Sequence, residues 1–490
     1  MPRKFVVQTF GCQMNEHDSE RIASDLVAAG LSRTDDVEDA DVVVLNTCCI
    51  REAAETKLYG HLGHLKSIAQ RRPGMQIAVS GCLAQREGAA ILERAPHVDA
   101  IFGTHNVGRA RHLLDQARRT GSAAVEVLDV PADDAEAFPS AQVIRPELSY
   151  AAWVTIQIGC DNSCAFCIVP AVRGKEQSRP FGQLVEEVQA LAANGTSEVT
   201  LLGQNVNSYG RDLTLSARRG TFDAANAARI VGDGWVSRAE RRAEPLFADL
   251  LRAIGAIEAI RRIRFTSPHP KDLRPETIAA MAETDAVCEQ LHLPLQSGSD
   301  RVLSAMRRGY TAERYLERLA AARAAIDDLA VTTDVIVGFP GETDKDFEDT
   351  LALVAEAGYD GAFTFIFSPR PGTRAAEMTE LFVPPEVIAD RFARLKDVVD
   401  RSASLRHAAR IGRTEEVVVE GASKKDATIA AARTRQGKLV HFHPGASPML
   451  PGTYAHIRVT DAGGHHLFGE LARSESAVRP SRRVIPVTAA

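Results

Sequence analysis

The chain has 490 residues, and a prior of about 150 residues per domain therefore predicts roughly three domains. Its 45% hydrophobic and 25% charged residues are typical of globular proteins, which excludes wholesale disorder. No apolar run approaches the roughly 18 residues that span a bilayer, and Gln8 interrupts the N-terminal stretch before a signal sequence could form. We expect a cytoplasmic protein that does not associate with membranes.

The net charge of −6 conceals an asymmetry between the two ends of the chain. Residues 401–490 contain fourteen Lys/Arg and seven Asp/Glu, a balance of +7, which leaves −13 for the first 400 residues. A positive segment is a candidate binding surface for a polyanion. A solvated basic surface without a partner is the alternative.

The first 120 residues alternate between short β-rich runs and longer helical ones. This pattern predicts a parallel sheet with crossover helices. The predicted strands are 5–9, 41–46, 76–80 and 100–103, and the predicted helices are 18–29, 51–70 and 85–94.

Three cysteines follow three of these strands, in the loops TFGCQMN, NTCCIRE and SGCLAQ. Sites in parallel sheets form at the carboxyl ends of the strands, so Cys12, Cys48 and Cys82 are expected to converge at one edge. Glycine precedes both Cys12 and Cys82, which indicates close backbone approach to a bulky group. Three separately buried thiols are the alternative, because free cysteine packs as a small hydrophobe.

A Pro- and Ala-rich stretch at 131–146 is predicted to be a linker, and a second alternating series begins after it. Six βα-like units predict an open or partial TIM-type barrel with its site at the carboxyl ends. A doubly wound sheet is the alternative. Strands are predicted at 153–158, 198–202, 262–266, 289–293, 332–337 and 361–367, with helices that include 181–193, 312–326 and 344–356.

After a helix predicted at 385–409, five short β runs are separated by Gly, Pro, Ser and Asp. They predict a small closed barrel of a kind that often binds oligonucleotides, and they coincide with the positive segment. The strands are predicted at 415–420, 428–434, 438–443, 454–460 and 466–471, and the last dozen residues are expected to be a frayed tail.

The sequence CDNSCAFC places Cys160, Cys164 and Cys167 in a C-x3-C-x2-C pattern directly after the first predicted barrel strand. Thiolates hold iron–sulfur clusters, and three cysteines on one loop can ligate three irons of a cubane while the fourth iron stays open. Structural zinc, the main alternative, prefers four ligands and C-x2-C pairs, and no partner pair follows here.

This motif, with Phe166 before its last cysteine, resembles the signature of radical S-adenosylmethionine enzymes. The run GCDNSCAFCIVPAVRGKEQSRP is similar to the methylthiotransferase family within that superfamily. The resemblance covers nearly the whole chain in the correct order. It includes QTFGCQMN, NTCCIRE, LLGQNVNSYG, RIRFTSPHP, LHLPLQSGSD, DVIVGFPGET and VEGASKKD.

The resemblance implies an α/β multidomain fold: a flavodoxin-like domain at 3–120, a linker at 121–146, a radical S-adenosylmethionine partial barrel at 147–400 and a TRAM barrel at 408–474. It also implies two [4Fe–4S] clusters. Cys160, Cys164 and Cys167 would hold the catalytic cluster, which binds S-adenosylmethionine, and Cys12, Cys48 and Cys82 the auxiliary one. Cys49 and Cys288 are expected to be ordinary thiols.

The expected reaction inserts sulfur at an unactivated aromatic C–H bond, which requires a radical carried by the cofactor. By resemblance, reductive cleavage of S-adenosylmethionine gives a 5′-deoxyadenosyl radical that abstracts the hydrogen. Sulfur comes from the auxiliary cluster and the methyl group from a second S-adenosylmethionine.

Strand ends in the barrel supply the candidate cofactor contacts. Gln204 and Asn205 are expected to hydrogen-bond S-adenosylmethionine, with loop capping as the alternative. Ser297, Gly298 and the segment from Val337 to Phe339 could line the adenosyl pocket. Three cations after the cluster loop could meet phosphates or form a solvated face; they are Arg173, Lys175 and Arg179.

TFGCQMN and CIVPAVRGKEQSRP most resemble the branch that converts N6-(dimethylallyl)adenosine, next to the tRNA anticodon, to its 2-methylthio derivative. Branches that act on threonylcarbamoyladenosine or on a ribosomal-protein aspartate are the alternatives, and a non-catalytic iron–sulfur RNA-binding redox sensor is a hypothesis of another class. The expected partners are tRNA and an electron donor such as flavodoxin or ferredoxin, with the enzyme as a monomer.

One segment departs from the family pattern. Residues 215–244 contain six arginines and four acids and lengthen the connection after the second barrel strand. Such loops are generally functional or disordered. We expect a disordered insertion, numbered 214–244, and a mobile lid or tRNA-contacting segment is the alternative.

Overall fold

The computed structural model describes residues 3–48, 52–127, 150–445 and 449–475. Three predictions lie outside these ranges: the role of Cys49, most of the linker and the tail after 475. Within the ranges, no helix combines the length and apolar character needed to cross a bilayer.

The N-terminal unit is a six-stranded parallel sheet in the order β2-β1-β3-β4-β5-β6. Its central strands are fully buried apolar runs such as VVVLNT in β3, as expected for a sheet covered on both faces. The elements are β1 (Lys4–Phe10), α1 (Gln13–Ala28), β2 (Ser32–Arg33), β3 (Val42–Thr47), α2 (Glu52–Arg71), β4 (Gln76–Gly81), α3 (Cys82–Glu87), α4 (Ala90–Arg94), β5 (Ala100–Phe102), α5 (Ala110–Thr120) and β6 (Ala124–Glu126).

The predicted parallel sheet is confirmed, with three local corrections. Helix α1 begins five residues before its predicted start, directly after Cys12. The helix predicted at 85–94 is two helices, because Gly88 takes a positive φ of 52° and ends α3. Strand β6 pairs with β5, so the sheet extends to Glu126, inside the segment predicted as linker.

The central unit contains two three-stranded parallel sheets in the orders β7-β10-β11 and β12-β13-β14, joined by a parallel bridge between Ile263 and Val287. The elements of its first half are β7 (Ala151–Thr155), β8 (Gln157–Ile158), α6 (Val169–Arg173), β9 (Gln177–Ser178), α7 (Phe181–Ala193), β10 (Glu198–Leu202), α8 (Arg211–Arg218), α9 (Ala224–Val231), α10 (Asp233–Val236), α11 (Phe247–Gly255) and β11 (Arg262–Phe265). Those of its second half are α12 (Pro275–Glu283), β12 (Gln290–His292), α13 (Asp300–Ala305), α14 (Ala312–Ala325), β13 (Ala330–Val337), α15 (Asp344–Ala357), β14 (Gly361–Ile366) and α16 (Pro385–Ala408).

The consecutive strand order makes this unit a partial barrel and excludes the doubly wound alternative, whose order reverses at a switch point. Alternate residues of each strand, such as Val199 and Leu201, pack into the core beneath the helices. The strand predicted at 153–158 is interrupted at Ile156, and its second part, β8, pairs with β9 instead.

The prediction that residues 214–244 are disordered is wrong. Part of α8, all of α9 and α10 occupy this segment, and Trp235 and Val231 are buried in the barrel's core cluster. Asp223 caps α9 by accepting from Asn226 N–H at 2.7 Å. Helix α9 contacts α7, and Arg238 pairs with Asp249 of α11 at 2.8 Å, so this part of the insertion folds onto the outside of the barrel.

The C-terminal unit is a closed barrel in the order β15-β16-β17-β19-β18, as predicted. Its core consists of alternate inward residues such as Val417, Val419 and Ile457. The strands are β15 (Thr414–Ala422), β16 (Ala430–Thr434), β17 (Leu439–His443), β18 (Tyr454–Ala462) and β19 (Leu467–Ser474).

This small barrel packs against the amino-terminal ends of the partial-barrel strands. Arg262, at the start of β11, is completely buried and donates to Glu416 at 2.8 Å. Lys438 pairs with Asp360, directly before β14, at 2.7 Å. Arg435 pairs with Glu289, directly before β12, at 2.8 Å. Several cations of the positive segment therefore neutralise carboxylates at an internal interface.

Candidate functional site

Cys12, Cys48 and Cys82 meet at the carboxyl edge of the N-terminal sheet, as the sequence predicts. They follow β1, β3 and β4, which are neighbours in the sheet. The Cys48 N–H donates to the Phe10 carbonyl at 2.9 Å, which brings the loop after β3 beside the loop after β1. A hydrogen bond between the thiols of Cys12 and Cys48 is the main cause that lowers the pKa of Cys12 to about 6.

Two asparagines that the sequence reasoning missed support this edge. Asn15 donates to Asn46 Oδ1 at 3.2 Å, and Asn46 donates to the Asn15 carbonyl at 2.7 Å. Gly81 fits beneath them with φ of 95°, and a Cβ there would lie 2.3 Å from Asn46 Oδ1. The missing Cβ at Gly81, directly before Cys82, therefore leaves room for the side chain of Asn46. The Asn residues beside the Cys motifs are the sequence signal that could have identified them.

Cys160, Cys164 and Cys167 lie on the loop between β8 and α6, at the carboxyl side of the partial barrel. The loop closes on itself: Cys160 N–H donates to the Gly174 carbonyl at 3.2 Å, and Cys167 N–H donates to the Cys164 carbonyl at 3.1 Å. Arg308, which the sequence reasoning missed, donates to Cys164 Sγ at 3.3 Å. No motif marks this arginine, which is brought close by the turn after α13.

In the second triad, which consists of Cys160, Cys164 and Cys167, the pKa values of Cys160 and Cys167 are shifted in the opposite direction to that of Cys12. Burial is the main cause that raises the pKa of Cys167 to about 12, and it raises the pKa of Cys160 as well. None of the seven cysteines in the described ranges forms a disulfide, and Cys288 is buried and belongs to neither triad. In those ranges no three Cys, His, Asp or Glu side chains are arranged around a single metal ion.

Helix α6 connects the two triads. It begins two residues after Cys167, and Ile168 and Val172 share an apolar cluster with Cys82 and Leu83. At its end Arg173 donates to Asp18 of α1 at 2.7 Å. The segment that follows Cys167 is therefore packed directly on α3, the helix that begins at Cys82.

The prediction that Arg173 and Arg179 meet phosphates or form a solvated face is wrong. Arg173 is buried beside Asp18, and Arg179 is buried with Glu187 at 2.5 Å. Both guanidinium groups are neutralised internally. Lys175, between them, is exposed.

Gln204 and Asn205 lie at the end of β10, beside the loop that carries the second triad. Gln204 Oε1 accepts from the Gly159 N–H, and Asn205 Nδ2 donates to Asp272 at 2.9 Å. Both side chains thus hold loops in place, which was the alternative to cofactor binding. Each also keeps one buried polar atom that has no hydrogen-bond partner among the described residues, Gln204 Nε2 and Asn205 Oδ1.

Ser297 and Gly298 are packed against helix α15, and Val337 is the last residue of β13. The Ser297 hydroxyl contacts Thr350 Oγ1 at 3.2 Å, and a Cβ on Gly298 would lie 2.6 Å from Thr350 Cα. Val337 is buried in the core beneath the helices. Their role in an adenosyl pocket stays a prediction. Because their side chains are packed inside the fold, only their backbone atoms are left to contact a ligand.

The partial barrel, with a C-x3-C-x2-C loop after its first strand, places the protein in the class of radical SAM enzymes. Residues 154–354 match the family model described as the radical SAM superfamily, and residues 4–103 match the model described as uncharacterized protein family UPF0004.

Curated relatives define the family more narrowly. A tRNA-2-methylthio-N(6)-dimethylallyladenosine synthase of Acidothermus cellulolyticus is 50% identical, over 98% of this chain and 93% of its own. Proteins of the same name from Mycolicibacterium vanbaalenii and Nocardia farcinica are 49% and 46% identical, over 96% and 99% of this chain and 88% and 93% of their own. The chain belongs to the family of tRNA-2-methylthio-N(6)-dimethylallyladenosine synthases.

Among solved structures, the radical S-adenosylmethionine methyltransferase TsrM of Kitasatospora setae, with cobalamin and a [4Fe–4S] cluster bound, aligns with 77% of this chain and 77% of its own. The identity is 13% and the TM-score 0.48, a distant likeness.

Proposed function

We propose that this protein converts N6-(dimethylallyl)adenosine, next to the tRNA anticodon, to its 2-methylthio derivative. The observation that carries the proposal is the identity of 46–50% to synthases of that name, over nearly the whole length of both chains. In the reaction an aromatic C–H bond is replaced by a C–S bond, and the sulfur receives a methyl group.

The two cysteine triads fit two [4Fe–4S] clusters, one held by Cys160, Cys164 and Cys167 and an auxiliary one held by Cys12, Cys48 and Cys82. Cluster ligands bind different irons, so three thiolates need not surround one ion, in keeping with their arrangement here. When bound, the cluster at Cys160, Cys164 and Cys167 supplies the reductive cleavage of S-adenosylmethionine, and the auxiliary cluster supplies sulfur.

The residues around the second triad fit an amino-acid ligand such as the methionine part of S-adenosylmethionine. Buried polar atoms without partners include Gln204 Nε2, a donor, and Asn205 Oδ1, an acceptor. A buried polar atom without a partner costs about 1–3 kcal/mol, which a ligand with an amino and a carboxylate group would recover. We assign Gln204 and Asn205 to cofactor binding on this ground, and we keep the backbone of Ser297, Gly298 and Val337 as candidate adenosyl contacts.

Two arginines prepare the thiolates for ligation. Arg308 places a positive charge beside Cys164, and Arg173 lies near Cys12 and Cys82, whose negative charges raise the pKa of Arg173 against the effect of burial. A cation beside a thiol favours the thiolate, which is the metal ligand. Each triad therefore has a guanidinium group beside it, and that of Arg173 is shared with Asp18.

The proposal includes an electron donor of the flavodoxin or ferredoxin class, a monomeric enzyme and cytoplasmic localisation. It keeps the units at 3–120, 147–400 and 408–474, with the first extended to Glu126 because β6 pairs with β5.

Deletion of the gene, followed by mass spectrometry of tRNA nucleosides, tests the substrate. The proposal predicts loss of 2-methylthio-N6-(dimethylallyl)adenosine and accumulation of its precursor. If the methylthio nucleoside persists and no second synthase is encoded, the substrate assignment is wrong. Loss of the threonylcarbamoyladenosine derivative, or of modification on a ribosomal protein, would identify the corresponding alternative branch.

A non-catalytic redox sensor is separated from an enzyme by anaerobic reconstitution and reduction in the presence of S-adenosylmethionine. The enzyme releases 5′-deoxyadenosine. A sensor retains its clusters and releases none.

A further inference from the structure

A basic cavity of about 590 Å³ lies beside the cysteine loop of the partial barrel. Its walls are the start of α8, the loop after β11, the start of α12 and one face of α14. Ala243 and Pro245, at the end of the folded insertion, complete the wall. The volume is in the range of pockets that hold small-molecule ligands, about 300–1,000 Å³.

The charges of this cavity do not balance. Five cations line it against two carboxylates, Asp272 and Glu317; the cations are Arg211, Lys271, Arg274, Arg314 and Arg318. Asp272 is already engaged by Asn205, at 2.9 Å. In the part of the chain that the structure describes, neither Arg211 nor Arg314 forms an ion pair, whereas most arginines of the C-terminal unit do.

The fold concentrates these cations instead of dispersing them. Arg314, Glu317 and Arg318 are spaced so that they share one face of α14, and that face forms the wall. Burial and the charge of Arg314 lower the pKa of Arg318. Helix α12 begins at the cavity without a side-chain cap, and its N-terminal partial charge has the same sign. Such an excess of one sign in a concave site favours a multiply charged anion.

The cavity is connected to the candidate site by direct contacts. Lys271 donates to Asn162, between Cys160 and Cys164, at 2.6 Å. Asp272 accepts from Asn205, one of the candidate cofactor contacts. An anion in the cavity therefore lies at the rim of the site, at the end of the barrel opposite the small C-terminal barrel.

We propose that this cavity binds the sugar-phosphate backbone of the substrate RNA, with Arg211 and Arg314 as its phosphate contacts. The inference rests on the proposed function, in which an RNA base must enter at this end of the barrel. It assigns backbone binding to the partial barrel and its insertion, because Arg435 and Lys438 of the C-terminal unit are paired with carboxylates of the partial barrel, whereas Arg211 and Arg314 form no ion pair within the described residues.

The test compares the reconstituted wild-type protein with the double variant Arg211→Gln/Arg314→Gln. A matched control, Arg111→Gln/Arg119→Gln, removes two exposed positive charges from α5 of the N-terminal unit. The probe is a fluorescent RNA stem–loop that contains N6-(dimethylallyl)adenosine, and its affinity is measured between low and moderate KCl concentrations. Iron content and thermal midpoint verify that each variant folds and carries its clusters.

The cavity variant is expected to bind the RNA about tenfold more weakly, and its slope of log affinity against log salt should be shallower by roughly one for each phosphate that is no longer bound. The control should change neither quantity appreciably. Equal weakening in both variants, or wild-type binding by the cavity variant, would overturn the proposal.

A second arm identifies the source of the phosphate. Tripolyphosphate binding that is abolished in the cavity variant, with RNA binding unchanged, would overturn the RNA assignment and indicate a small anionic ligand. Product formation by the wild-type protein on whole tRNA is measured in parallel. Failure of the proposed function is thereby distinguished, because it would appear in the wild type and not only in the cavity variant.

Discussion

Arg173 and Asp18 form a buried ion pair of 2.7 Å that joins the segment after Cys167 to the helix after Cys12. The two residues are 155 positions apart and belong to different units. Thr104 strengthens the junction by donating to the Val172 carbonyl at 2.7 Å. The spatial relation of the two cysteine triads thus depends on this ion pair, on the Thr104 hydrogen bond and on the apolar packing of α6.

Asp18→Asn should destabilise this junction strongly. Removal of one partner from a buried ion pair leaves an uncompensated charge, at a cost of about 3–5 kcal/mol. The control is Asp115→Asn, which removes an exposed carboxylate 3.8 Å from Arg111 and should cost about 0–1 kcal/mol. Scanning calorimetry of the apoprotein measures both. Equal shifts in the two variants would show that the Arg173 pair does not hold the units together.

His17 should make the stability of the fold dependent on pH. It is buried against Thr155 at 3.0 Å, and burial, followed by the charge of Arg21, lowers its pKa to about 4. Since the folded state binds the proton more weakly than the unfolded chain, the contribution of neutral His17 is complete above pH about 6.5 and is lost as the pH falls towards 4.

The measurement is the thermal midpoint of the wild type and of His17→Gln between about pH 5 and about pH 8. The variant should show a weaker fall in stability on acidification. Some fall should remain, because His269 is also buried and its pKa is lowered to about 2. Identical pH profiles would contradict the assignment.

Gly159→Ala should disturb the loop that carries the second triad. Gly159 has φ of 80°, and a Cβ there would lie 2.0 Å from the Lys175 carbonyl oxygen. The matched control is Gly220→Ala, where φ is 74° but no atom lies within 4 Å. Both substitutions carry the backbone penalty of about 1 kcal/mol for a left-handed residue, but only the first also displaces backbone. Iron content after reconstitution should fall in the first alone, and retention of wild-type iron by Gly159→Ala would refute this.

Cys164→Ala and Cys82→Ala should each remove one cluster, of about four irons per chain. Cys164→Ala should also abolish formation of 5′-deoxyadenosine, whereas Cys82→Ala should retain it and form no methylthio product. Cys288→Ala is the control, because this buried thiol belongs to neither triad, and it should keep the iron of both clusters. Iron analysis measures the clusters of each variant, and chromatography measures 5′-deoxyadenosine and the methylthio product. Methylthio product from Cys82→Ala would exclude the auxiliary site as sulfur donor.

The elements that depend on local patterns could be predicted from the sequence. Strands such as β10 and helices such as α7 have the predicted bounds, since hydrophobic periodicity and turn residues define them locally. The convergence of Cys12, Cys48 and Cys82 also followed from sheet topology. Cys160, Cys164 and Cys167 were found by their C-x3-C-x2-C spacing on a single loop.

Long-range pairing could not be predicted. Nothing local distinguishes the buried Arg173 from an exposed cation, because its partner Asp18 lies 155 positions earlier in the chain, in α1. For the same reason, the charge sum of the C-terminal unit could not show which of its cations are paired. Arg435 and Lys438 are neutralised by carboxylates more than 70 residues away, so the charge sum overstated the surface available to RNA.

The most direct test of the account is the reaction itself. The protein is reconstituted anaerobically, reduced, and incubated with S-adenosylmethionine and tRNA that contains N6-(dimethylallyl)adenosine, and the nucleosides are then analysed by mass spectrometry. We expect 2-methylthio-N6-(dimethylallyl)adenosine together with 5′-deoxyadenosine. Release of 5′-deoxyadenosine while the modified adenosine stays unchanged would contradict it.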